Sequence, residues 1–566
     1  MRRKASKSAV ISLLLFICAT TASLYAENIK TPAELSNYTQ YSQQHDISVF
    51  LSLLSRVSPE LRIINYGPSF PDKHYGPKDL YLCILTEEGI ESPEKLNRNK
   101  TTIYIVAAKH GNEQSAKEAA LRLIRDLANG ELKPLLRQLN FLILPAANPY
   151  GNYFDVRRNG QDLDLNRDHV KMEAPETRAI TRIFRQWMPE VTLDVHEKGD
   201  DYYRINIGCV SNANISADLQ EFSRNILFPE IEQDLKERNF TFHEYLLTQQ
   251  MGIDSSAGVT YSSDDMRGRE RMMRYSTSDI NDGRNAPGIY ETLSFIQEGA
   301  SRHDLETLQE RTEWQYYGMR YFSKSIASHS QEINDLVRGL RNEVLIKAGD
   351  YAESDLVHLR MRYARDENQP TLTYKKFDTS IQEIWGIMRV DKKAGDPVYR
   401  KDIASPPMSI REGAIEETET NWFPLVEPFI SVPRPLGYVV PGNQTKVIKT
   451  LLDHCLDISY IREDTLVEVE SYQVIDITPA EYDYLPPQNI DVEKKKIEVL
   501  IKRGDFYISC DQEGANLIPC LLEPQSQYGL IRYWTYNLVP KKGDIFPFYR
   551  LIKKVNLPLI PFKEWN

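Results

Sequence analysis

Between residues 79 and 196, four apolar runs, "DLYLCILT", "TTIYIVAA", "NFLILPAA" and "EVTLDVH", alternate with longer amphipathic stretches. A strand exposed on one face would alternate polar and apolar residues, so near-continuous apolar runs predict strands buried on both faces. Between them, "QSAKEAALRLIRDLANG" repeats apolar residues at helical spacing through Ala119, Ala120, Leu123 and Leu127, and Gly130 stops it. A second helix, "PETRAITRIFRQWM", starts at Pro175 and sets Ile180, Ile183, Phe184 and Trp187 on one face. Strands alternating with helices predict an α/β sheet covered on both sides.

The chain has 566 residues, more than one ordinary core accommodates, so two or more domains are expected. Residues 302 to 365 read as helical and highly charged, with Leu305, Leu308, Leu336, Leu340 and Leu345 as contact positions. From 366 to 425 the pattern weakens, and "GAIEETETNW" and "SPPMS" suggest linker or surface loop. From about 430 the texture changes again. A short helix, "QTKVIKTLLDHC", stands among "PLGYVVP", "LVEVESYQVIDI", "KKIEVLIKRGDFYIS" and "IRYWTYNLVP", all read as strands of a β-rich unit.

The net charge of −11 argues against a nucleic-acid binder, which normally shows a basic surface. The first 26 residues stand apart: a basic "MRRKASK", an apolar "AVISLLLFICATTA", then "SLYA" ending on a small residue before Glu27. That order predicts a secretory signal, and hence an exported protein, periplasmic or extracellular, with no membrane association once the signal is removed. Outside the signal stand Cys83, Cys209, Cys455, Cys510 and Cys520. Their spacing fits no zinc-finger pattern; Cys510 and Cys520 could close a loop, or all could be plain buried thiols.

Chemistry concentrates where the buried strands run out. "KHGNE" follows "TTIYIVAA" and offers His110 and Glu113, and "EVTLDVHEKG" delivers His196 at the end of another strand. In open α/β sheets, ligands gather at the carboxyl ends of strands. Two imidazoles and a carboxylate are a set that catalytic zinc uses, with the fourth position left for water. Between those strands lies "NPYGNYFDVRRNGQDLDLNRD", rich in guanidinium groups suited to carboxylates and developing oxyanions.

Together, "KHGNE", "NPYG", "RRN", "DLNRD" and "DVHE" resemble the zinc carboxypeptidase family over about residues 75 to 300. The resemblance implies a mixed sheet flanked by helices and one zinc held by His110, Glu113 and His196. It implies that Arg157 polarises the scissile carbonyl and that Asn166 and Arg167 hold the substrate's terminal carboxylate. Asp168 departs from the asparagine of many members and could favour a substrate with a basic group nearby. The family's general base is a glutamate of a late strand. "GIYETLSFIQEG" offers Glu291 and Glu298, and Glu298 is preferred because it stands at the strand's carboxyl end. A tyrosine that closes over substrate is expected about twenty residues earlier, where Tyr275 is best placed.

The expected division is a signal over 1–26, a carboxypeptidase-like domain over 27–330, a helical extension and linker over 331–425, and a smaller β-rich domain over 426–566. The expected activity is hydrolysis of peptide bonds near a C-terminus. The alternatives are a hydrolase of peptidoglycan stem peptides, a small-amide deacylase, or a binding protein on an inactive scaffold.

Overall fold

A computed structural model describes residues 29–71, 75–199, 201–250, 271–275, 277–301, 303–377, 414–478 and 489–563. The signal expected over 1–26 lies outside the described residues.

The strands of the main sheet are β1 (Leu61–Pro68), β2 (Asp79–Leu85), β3 (Thr101–Ala107), β4 (Leu139–Leu144), β5 (Val191–Gly199), β6 (Ile205–Cys209) and β7 (Phe242–Glu244). A hairpin of β8 (Leu246–Gln250) and β9 (Arg271–Tyr275) follows, and β10 (Leu293–Ser301) returns to the sheet. The order is β1-β2-β4-β3-β5-β10-β6-β7. The four central strands β4, β3, β5 and β10 are parallel, while β1–β2, β2–β4 and β6–β10 are antiparallel. The sheet is therefore mixed. The chain leaves β3 for β4 on one side, then crosses to β5 on the other, which opens a crevice beyond the carboxyl ends of β3 and β5.

Every residue of β3 and β4 is buried, as their unbroken apolar sequences require. On one face, the helix Gln114–Asn129 packs against the later helix Leu308–Ser328. On the other, the helix Pro175–Trp187 buries Ile180, Ile183, Phe184 and Trp187, and Tyr104 of β3 donates to the carbonyl of Ile180.

The region read as helical up to 365 behaves differently in its last part. The helix Ser330–Ala348 ends at Gly349, and Leu356–Ala364 forms a strand paired antiparallel with Leu425–Pro433. Val357, Leu359 and Met361 are its buried alternate positions. The stretch expected to be a linker holds two paired strands, Leu372–Phe377 and Ala414–Glu419. Cross-strand pairing supplies there what local hydrophobicity does not.

Beyond them a seven-stranded antiparallel sheet forms from Gly437–Val440, Ile458–Ile461, Thr465–Thr478, Asn489–Ile501, Phe506–Ser509, Tyr549–Leu551 and Leu559–Phe562. "IRYWTYNLVP" is not a strand: it makes two short 3-10 turns, Leu530–Arg532 and Trp534–Tyr536. Cys83, Cys209, Cys455, Cys510 and Cys520 are free thiols, so Cys510 and Cys520 do not close a loop. Among the described residues no helix is long and apolar enough to cross a membrane.

Candidate metal centre

The loop after β3 is shaped by backbone packing. Ala108 turns the chain with a left-handed φ of 58°, and Gly111 then presses against the turn at Gly151. A Cβ on Gly111 would lie 2.0 Å from the carbonyl carbon of Gly151, so no other residue fits there. Asn148 donates to the carbonyls of Lys109 and Arg157, and Asn152 donates to that of Gly111. "KHGNE", "NPYG" and "RRN" are thus bound together as one loop cluster.

That cluster delivers the side chains. His110 Nδ1 lies 2.7 Å from Glu113 Oε1, His196 Nδ1 lies 2.8 Å from Glu113 Oε2, and the two Nδ1 atoms are 3.0 Å apart. All three residues are buried. Two ring nitrogens facing each other beside a carboxylate need a cation or proton between them. The donor set of two nitrogens and one carboxylate, all within 4.8 Å of one another, fits zinc. Each ring's other nitrogen meets a carboxylate: His110 Nε2 is 3.1 Å from Asp164, and His196 Nε2 is 2.8 Å from Asp194. Such outer carboxylates fix which nitrogen faces the metal. Despite burial, which opposes it, the two imidazoles hold Glu113 well below the usual carboxylate range.

Strand alternation explains the second pairing. Thr192, Asp194 and His196 share one face of β5, and Glu197 points to the other. Glu197 accepts from the Ser115 amide at 2.8 Å and pairs with buried Arg311 at 2.6 Å, fixing β5 to both helices on that side. Asp194 also pairs with Lys109 at 2.9 Å, and Lys109 Nζ contacts His169 Nε2 at 3.0 Å.

Glu298 stands in register beside His196 on the neighbouring parallel strand. It is buried, and its Oε2 has no hydrogen-bond partner. Burial pushes its carboxyl up to about 7, against the pull of His196. Glu291 is at the other end of the strand, roughly 20 Å away by strand rise. There it accepts from the Ser216 amide and from Asn516.

Arg157 donates from Nε to Asp164 at 2.9 Å, and its Nη1 is 3.8 Å from Glu113. Asn166 lies 3.4 Å from His196 Nε2 through its amide nitrogen, and its Oδ1 accepts from the Gly283 amide. Arg167 is exposed beside these groups. Asp168 does not face the cluster: its oxygens accept from the Glu173 and Ala174 amides, so its charge is spent on the backbone. Tyr275 is not brought to the centre. It packs edge-on against Trp422, 4.6 Å between ring centres, with Arg224 over its ring. Tyr245 is the tyrosine that meets Glu298; burial and then the Glu298 charge raise its phenol well above its ordinary value. Sequence reasoning missed Tyr245, Asp164, Asp194 and Lys109. For Asp194 the signal was available, since "DVH" spaces it two residues from His196.

The sequence model of the zinc carboxypeptidase family matches residues 51–172. The chain carries a zinc carboxypeptidase domain. The matched span holds His110 and Glu113, while His196 and Glu298 join them through the geometry of β5 and β10. "Carboxypeptidase 2" of Trichophyton rubrum is 22% identical over 491 residues, covering 83% of this chain and 80% of the relative. A metallo-carboxypeptidase from Burkholderia cenocepacia aligns with a TM-score of 0.37 and 15% identity, over 52% of this chain and 71% of the other. Carboxypeptidase A from Helicoverpa armigera aligns with a TM-score of 0.38 and 13% identity, over 51% and 75%.

Proposed function

We propose that this chain removes residues from the C-termini of peptides by hydrolysis, with Glu298 as general base. His110 and His196, through Nδ1, and Glu113 would hold the zinc. Bound there, the metal supplies a Lewis acid and an acidified water molecule. Glu298 would take a proton from the attacking water and deliver it to the leaving amine. A carboxylate held near neutral by burial suits both halves of that transfer. Arg157, tethered by Asp164, faces the carbonyl oxygen as it gains charge; a donor in that role is typically worth about 3 kcal/mol of barrier. Asn166 and Arg167 receive the terminal carboxylate, and Tyr245, rather than Tyr275, flanks it.

The reading rests on one observation: a buried carboxylate with a free oxygen stands in register beside a two-histidine, one-carboxylate cluster. The test is purified protein incubated with a peptide mixture, with and without chelator. Single amino acids released from C-termini, and lost with chelator, support it; release only from N-termini or from internal cuts refutes it. The sequence of residues 1–26 also leads us to propose export, checked by the N-terminal residue of the mature protein.

A further inference from the structure

Taking Asn166 and Arg167 as the carboxylate grip of the reaction proposed above, we infer that Tyr533, from the C-terminal β-rich region, is a positioning residue for that grip and acts through Asn281. The turn that carries the pair, Leu165–Arg167, is three residues of 3-10 helix, too short to hold its place alone. Two bonds tie it to the loop that precedes β10. Asn166 Oδ1 accepts from the Gly283 amide at 2.7 Å, and the Arg167 carbonyl accepts from Asn281 Nδ2 at 2.8 Å. Asn281 Oδ1 also accepts from the Val170 amide at 2.8 Å. The backbone is thereby pinned while the Arg167 side chain stays exposed to a ligand.

Asn281 is 6% exposed, and its side-chain amide has two N–H groups to satisfy. One goes to Arg167. The other goes to Tyr533 Oη at 3.1 Å, on a residue 252 positions later in the chain. Tyr533 stands between the 3-10 turns Leu530–Arg532 and Trp534–Tyr536. From the second of these, Tyr536 donates to the Lys171 carbonyl at 3.3 Å, and His454 Nε2 donates to the Val170 carbonyl at 3.0 Å. The C-terminal region thus holds both the loop at Asn281 and the segment that follows Arg167. Removing the Tyr533 hydroxyl would leave a buried N–H without its acceptor, which is costly. A flipped Asn281 amide would set its N–H groups against the Val170 N–H, so no second orientation satisfies the same partners. Any rotation that relieves the lost bond weakens the bonds to Arg167 and Val170, and the turn moves with Asn166 and Arg167 on it.

The test is steady-state kinetics of the zinc-loaded full chain on an N-blocked dipeptide with a free terminal carboxylate. Tyr533→Phe should raise KM about tenfold and leave kcat within about twofold of wild type, the pattern of lost substrate binding. Asn281→Ala should raise KM at least as much, and adding Tyr533→Phe to it should raise KM no further, because the hydroxyl acts through that amide. Tyr438→Phe is the control for a purely structural effect. Its hydroxyl donates to Glu523 at 2.6 Å within the C-terminal region, so its loss should lower the urea midpoint with KM and kcat unchanged. Tyr533→Phe with KM within about twofold of wild type, Tyr438→Phe with an equal rise in KM, or a double variant whose KM effects multiply would each overturn the proposal. Zinc-loaded wild type that cleaves no such dipeptide refutes the carboxypeptidase reading, and this proposal falls with it.

Discussion

Replacing Asp194 by Asn separates two jobs that one carboxylate does. Asp194 is 2% exposed and meets Lys109 at 2.9 Å and His196 Nε2 at 2.8 Å; Lys109 is itself 1% exposed. Asn is nearly isosteric, so packing survives while charge is lost. The Lys109 ammonium would keep a neutral amide oxygen in place of its counter-charge, beside His169, a ring kept neutral by burial and by Lys109's own charge. Breaking a buried ion pair by removing one member costs about 3–5 kcal/mol. His196 would lose its charged acceptor, which typically weakens metal binding about 10–100-fold. Urea unfolding of metal-free protein measures the first loss, and competition with a calibrated chelator measures the second. The double change Lys109→Met with Asp194→Asn should recover most of the stability and none of the zinc affinity. Asp194→Asn within about 0.5 kcal/mol of wild type in stability, and within about twofold in zinc affinity, would refute both parts of the argument.

Glu298→Gln should keep zinc and lose about 10²–10⁴-fold in kcat, whereas Glu291→Gln should leave kcat nearly unchanged; steady-state kinetics with metal analysis decides, and the reverse pattern would move the base to Glu291. Glu291 also predicts a pH effect. Burial raises its folded pKa to about 7 from an ordinary 4.5, so between those values the folded state binds more protons and stability falls as pH rises. The span corresponds to about 3 kcal/mol, and denaturant midpoints from pH 4 to 8 should show that fall in wild type and a flatter profile in Glu291→Gln.

The strands that carry the centre were legible because β3, β4 and most of β5 are buried on both faces, leaving sequences with few polar interruptions. His110, Glu113 and His196 were legible because imidazole and carboxylate at the ends of such strands have few structural reasons to be there. The rest depends on contacts that the order of residues does not carry. Tyr275 was chosen by counting back from Glu298, but the β8–β9 hairpin takes that part of the chain to Trp422, and Tyr245 reaches the base instead. The strand Leu356–Ala364 was hidden by His358, Arg360 and Arg362, although Arg360 is buried.

The most direct test is the metal content of purified, folded protein by mass spectrometry. One zinc per chain in wild type, and under about a tenth of that in His196→Ala after dialysis, is the expected result. Stoichiometric zinc retained in both His196→Ala and Glu113→Gln would contradict the account at its centre.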